Sequence, residues 1–128
     1  MPDVLICDRD RSFAGSLENF LTEHGYAVCV SDLGSRGIHQ ILAEPCGVVV
    51  LGVHADDSEG IEMVQVVHRI DRNLPVVAVG DRESLEMERR VRIAKVFYYT
   101  VLPVDFDEVR EVVSRALQRQ KNTGRASR

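Results

Sequence analysis

At 128 residues, with 45% hydrophobic and 28% charged content, the chain is long enough to bury one core without disulfides or a structural metal. No apolar run approaches the roughly 20 residues of a membrane-spanning helix, and no signal peptide opens the sequence. The formal net charge of −4 excludes a general nucleic-acid binder. The expectation is a cytoplasmic domain with no membrane contact and no direct nucleic-acid binding. Cys7, Cys29 and Cys46 are odd in number and form no CxxC, so they read as small hydrophobes in a reducing compartment.

In chain order, Val4-Leu5-Ile6-Cys7 predicts a first strand that delivers Asp8-Arg9-Asp10 to its carboxyl end. Phe13, Leu17, Phe20 and Leu21 recur at helical spacing, and Gly25 stops that helix. Tyr26 to Val30 predicts strand two, and Ile38, Ile41 and Leu42 one face of a short helix ended before Pro45. Val48-Val49-Val50-Leu51 is a run of branched residues covered on both faces, the signature of a central parallel strand. In such folds chemistry sits just past the carboxyl end of the central strand, and here Gly52 stands there.

Ile61, Val64, Val67 and Ile70 predict helix three, and Leu74 to Val79 strand four. Ser84 to Arg92 predicts a charged fourth helix with Leu85, Met87 and Val91 as its narrow buried stripe. Val96 to Tyr99 predicts strand five. Asp105 with Glu108 then forms a capping box for a last helix bearing Val109, Val112, Val113, Ala116 and Leu117. Arg115 to Arg128 holds five basic residues and no acid, and residues 120–128 are expected to be a basic flexible tail or interdomain linker after a domain of residues 1–119. Strands alternating with helices imply an α/β fold, one doubly wound five-stranded parallel sheet in a three-layer sandwich.

The ordered set Leu5-Ile6-Cys7-Asp8, Leu17-x-x-x-Leu21-x-x-x-Gly25-Tyr26-x-Val28, Val49-Val50-Leu51 with Gly60, Leu74-Pro75-Val76-Val77 and Tyr99-x-x-Leu102-Pro103 resembles the receiver domain of two-component response regulators, a CheY-like, flavodoxin-like fold. The resemblance covers about residues 3 to 119. It implies phosphoryl transfer to an aspartate after strand three, with an acid pair holding Mg²⁺ and a hydroxyl and a lysine neutralising the phosphoryl oxygens.

Carried over by position, the first acid is Asp8, the second position is Arg9 followed by Asp10, the acceptor is Gly52, the hydroxyl is Gly80 and the lysine is Leu102. Glycine offers no nucleophile and leucine no charge. The expectation is a degenerate receiver, not an enzyme, with no cofactor and no Mg²⁺ at Asp8 and Asp10. Its function is phosphorylation-independent signalling in a bacterial transcription regulator, through a protein partner or a downstream effector domain.

Among individual residues, Arg9 is a candidate to place its guanidinium where the metal would sit, against Asp8. His54 with the aspartates reads as an exposed polar loop rather than a metal site, since the four histidines show no ligand spacing. Gly52 and Gly80 read either as turn glycines or as space opened for a ligand. Resemblance implies a cis Leu102–Pro103 bond and a switch role for Tyr99. It also implies a homodimer through helix four, strand five and helix five, where Glu88, Arg89 and Arg92 lie. Two rival readings stay open: a phosphoreceiver using Asp8, Asp10, Asp56 or Asp57, and a small-molecule sensor in the same fold.

Overall fold

The central element is β3 (Val48–Val53), all of whose residues are buried. The computed structural model describes residues 2–126, with side chains as far as Arg119. Around β3 the chain lays down β1 (Val4–Cys7), α1 (Arg11–Glu23), β2 (Val28–Ser31), α2 (Ser35–Ala43), α3 (Glu59–Ile70), β4 (Val76–Gly80), α4 (Leu85–Ile93), β5 (Tyr98–Val101) and α5 (Phe106–Ala126). The strands pair in parallel in the order β2-β1-β3-β4-β5, the doubly wound α/β sheet expected from the alternation of periods.

Strand alternation builds two cores. Leu5, Val49, Leu51 and Val76 face α2, α3 and α4, where Met63, Val64, Val67 and Val91 meet them. Val4, Ile6, Val50 and Val77 face α1 and α5, against Leu17, Leu21, Val112 and Val113. Each such side chain contributes about 1.5–3 kcal/mol on burial, so the central strands have no free face. Cys7 and Cys46 are buried free thiols, pushed by burial up to about 12 and about 11, and they act as core hydrophobes.

Several boundaries differ from the sequence expectation for identifiable reasons. β3 continues through Gly52 and Val53 because β4 keeps pairing with it, Gly52 opposite Val79 and Val53 opposite Gly80. Neither glycine has positive φ; those with it are Gly25 and Gly34. Gly52 and Gly80 are therefore strand residues and not turn glycines. β2 starts later than expected, at Val28. β5 begins at Tyr98 because the preceding residues close the end of α4: Val96 donates to the Val91 carbonyl at 3.2 Å before Phe97 reaches Val76 at 2.8 Å.

On α4 the buried stripe is Met87 and Val91, and Leu85 is 74% exposed. Two positions apart on a helix face opposite sides, so Leu85 could not share the face of Met87. Of the expected capping box, Asp105 alone caps, its carboxylate accepting from the Asp107 amide at 2.9 Å. Glu108 instead stands near Tyr98, where, after burial, its charge helps to raise the phenol above its ordinary value. α5 runs on past residue 119 to Ala126, through the stretch expected to be a flexible tail, because Gln118 to Lys121 are good helix formers. Ser127 and Arg128 lie outside the described residues.

Candidate functional site

β1 sets Cys7 opposite Leu51, so the next residue, Asp8, comes to rest beside Gly52. A Cβ built on Gly52 would fall onto the Asp8 carboxyl carbon. The carboxylate thus occupies the volume in which a side chain at residue 52 would stand. Asp8 is 5% exposed, the one buried charged residue among those described.

A buried carboxylate needs donors, and Asp8 has two on Oδ1: the Asp10 amide at 3.0 Å and Nε2 of His54 at 3.2 Å. The His54 ring is itself largely buried, and its Nδ1 lies 3.7 Å from Oδ2 of Asp81. Asp81 in turn accepts from the Ala55 amide at 2.8 Å. Burial pushes the Asp81 carboxyl up, but the Ala55 amide, the His54 ring, its own amide and Arg82 outweigh this and hold it below the usual range. Asp8, His54 and Asp81 form a polar row across the carboxyl ends of β1, β3 and β4.

Arg9 does not enter this row. Its guanidinium turns to the β3–α3 loop, 2.6 Å from Asp57 and 3.5 Å from Asp56, and stays half exposed. The cation-capable group beside Asp8 is His54, which the sequence reading placed in an exposed loop. A signal was present: His54 lies two residues beyond Gly52, and in extended chain that spacing returns a side chain to the same face. Asp10 caps α1, its Oδ1 accepting from the Phe13 amide at 3.1 Å, and Asp57 accepts from the Glu59 amide at the start of α3.

The same geometry tests Mg²⁺. The ion wants several hard oxygens in an octahedron and dehydrates reluctantly. Gly52 supplies no side-chain oxygen, Asp10 caps its helix through Oδ1, and Oδ1 of Asp8 is covered by an imidazole and an amide. This donor set does not fit Mg²⁺, and among the described residues no group of three or more His, Cys, Asp or Glu side chains is placed to hold a metal ion.

At the neighbouring strand end the space over Gly80 is filled by Tyr99, whose hydroxyl lies 2.9 Å from where a Gly80 Cβ would be. That hydroxyl is buried and has no hydrogen-bond partner among the described residues. Burial, then the nearby Glu88, Asp81 and Glu83, push the phenol above its ordinary pKa. Leu102 packs with the α1–α5 core, and its bond to the exposed Pro103 is cis.

Between α4 and β5 lies a cavity of about 440 Å³ lined by Leu85, Glu88 and Tyr99 among others. On α4 Arg92 pairs with Glu88 at 3.5 Å and Arg90 with Glu86 at 2.8 Å, while Arg89 is exposed. Leu85 and Ile93, at the two ends of the helix, are 74% and 80% exposed.

The strand order and the helices on both faces define a doubly wound, CheY-like α/β fold with an acid-bearing carboxyl edge. Residues 4–114 match the response regulator receiver domain, and the chain belongs to that family. It is 25% identical over 122 residues to the transcriptional regulatory protein ZraR of Salmonella typhimurium, covering 95% of this chain and 28% of ZraR. It is 25% identical over 126 residues to PrrA of Mycobacterium bovis, covering 98% of this chain and 54% of PrrA. The chain thus spans about a quarter to a half of these curated relatives.

Among solved structures it resembles a CheY-like receiver domain protein from Methanospirillum hungatei, with TM-score 0.85 and 23% identity over 94% of this chain and 96% of that one. It also resembles NtrX from Brucella abortus, with TM-score 0.88 and 17% identity over 98% of this chain and 29% of that one. These structural likenesses speak to the fold.

Proposed function

We propose that this receiver domain signals without being phosphorylated. It acts through protein contacts as the regulatory domain of a transcription regulator and pairs with a second copy through the α4–β5–α5 face. The observation that carries the reading is the Asp8 carboxylate standing in the volume of a residue-52 side chain, held there by His54 and the Asp10 amide. Phosphoryl transfer to an aspartate requires an acceptor carboxylate aimed at the site, with cations and donors to stabilise the developing charge. Gly52, Gly80 and Leu102 offer none of these, and Asp56 and Asp57 are held by Arg9 on the adjoining loop. Mg²⁺ has no part in this reading.

The names of the ZraR and PrrA relatives, and the fraction of them this chain spans, support an effector domain as the downstream partner. The exposed Leu85 and Ile93, flanking a mixed-sign helix face, support the pairing surface. The test is intact-mass measurement after incubation with Mg²⁺ and acetyl phosphate, alongside sedimentation over a wide concentration range with and without beryllofluoride. The expected result is no added phosphoryl mass, and self-association indifferent to beryllofluoride. A phosphoryl adduct removed by one Asp→Asn substitution overturns the reading.

A further inference from the structure

At the opposite, amino end of the sheet, a cavity of about 190 Å³ opens between the end of α3, the α4–β5 turn and α5. His68, Arg72, Asn73, Lys95, Phe97 and Arg119 line it, and no acid does. In a molecule of net charge −4 this is a local reversal of sign. Elsewhere Arg9, Arg11, Arg36, Arg82, Arg90, Arg92 and Arg110 each face a carboxylate, while Arg69, Arg89 and Arg115 are exposed and stand singly without an ion pair among the described residues. Among the described residues, no carboxylate lies within ion-pairing distance of Arg72, Lys95 or Arg119.

Two further features point the same way. Lys95 has φ of 59°, the one described non-glycine residue in the left-handed region, whereas the other positive-φ sites use glycine. A helix end in this conformation is cheapest with glycine, so the lysine there carries a backbone cost. Arg119 lies over the Phe97 ring, 5.5 Å from its centroid, which holds the guanidinium in place at the cavity. The carboxyl ends of α3 and α4 attract cations, and that accounts for His68 and Lys95. It does not account for Arg119, which arrives from α5.

We propose that this cavity is an anion site for a diphosphate group, either free or carried by a nucleotide. The volume suits a compact, multiply charged anion rather than a peptide. Guanidinium groups at Arg72 and Arg119 match paired phosphate oxygens, and Lys95 adds a point charge. The site lies at the other end of the sheet from the Asp8–His54–Asp81 row and stands or falls independently of the proposed function.

The test is titration of the 128-residue chain with inorganic pyrophosphate at constant ionic strength, followed by amide NMR shifts and calorimetry, with sulfate as control. Saturable binding that moves resonances around Arg72, Lys95 and Arg119 is expected. Lys95→Gly and Arg119→Gln should each weaken it about five- to tenfold, and Arg69→Gln, an equal charge change on an exposed side chain outside the cavity, should not. Lys95→Gly should leave the unfolding midpoint unchanged or raised, separating lost binding from lost folding. ADP binding tighter than pyrophosphate identifies a nucleotide as the source; weaker binding identifies free diphosphate. Non-saturable shifts, equal competition by sulfate, or an equal loss in Arg69→Gln overturns the proposal.

Discussion

Two strand-end glycines, Gly52 and Gly80, leave two gaps at the same edge of the sheet, and the molecule fills them unequally. Into the first goes the Asp8 carboxylate, which there has an amide and an imidazole as donors. Into the second goes the Tyr99 hydroxyl, which is buried with no partner among the described residues. A satisfied buried polar group is a structural commitment, while an unsatisfied one costs about 1–3 kcal/mol. The first gap is therefore closed. The second holds its occupant at a cost, and any partner that offers Tyr99 an acceptor in another position recovers that cost. Movement on this domain is expected at Tyr99 and the α4–β5 cavity beside it, not at Asp8.

The sharpest way to break this comparison is Gly52→Ala. The new methyl displaces a carboxylate on a short side chain, costing both of its hydrogen bonds as well as overpacking, so a loss of about 2–4 kcal/mol in chemical denaturation is expected. A loss below about 0.5 kcal/mol, the range of an indifferent surface site, would mean that the gap is not closed. Next, His54→Ala leaves Asp8 buried with the Asp10 amide alone, at an expected cost of about 1–3 kcal/mol. Arg9→Ala, which removes only an exposed pair, should cost under about 1 kcal/mol. Equal losses for the two would restore Arg9 to the role the sequence suggested. In the second gap the sign reverses: Tyr99→Phe removes an orphaned hydroxyl and should stabilise by about 1 kcal/mol. Destabilisation would show that Tyr99 has a partner after all.

The pattern of what was legible follows the same physics. Alternating apolar runs state which face of a strand is buried, so the order of elements and the two cores could be read directly, whereas Gly52, Gly80 and Leu102 were picked out only by position in the receiver pattern that the chain resembles. Arg9 could not be placed, because adjacency to Asp8 in sequence says nothing of a long side chain's direction. Asp56 and Asp57 offered it a better partner from 47 and 48 residues away. His54 was readable from its two-residue spacing, but only once β3 was known to stay extended beyond Leu51. Leu85 was misplaced by counting apolar residues without their angular positions, and α5 was ended early because helix propensity was set aside in favour of the missing apolar pattern.

The finest distinction between the gaps is their response to pH. Asp81, tied to the first gap through His54, has its carboxyl held below the ordinary 3.8. Its contribution to stability is full above that value and is lost as pH falls through the lower folded value. Tyr99, in the second gap, has its phenol raised above the ordinary 10.0. Its contribution is full below 10.0 and is lost as pH rises through the folded value. Unfolding midpoints measured from pH 2 to 11 should therefore show Asp81→Asn flattening mainly the acid limb, with a smaller change in the alkaline limb because its charge is one of those that raise Tyr99, and Tyr99→Phe flattening the alkaline limb alone. If Asp81→Asn also alters the alkaline limb by as much as Tyr99→Phe does, the two gaps are one coupled site. Partner-driven movement of Tyr99 would then reach Asp8.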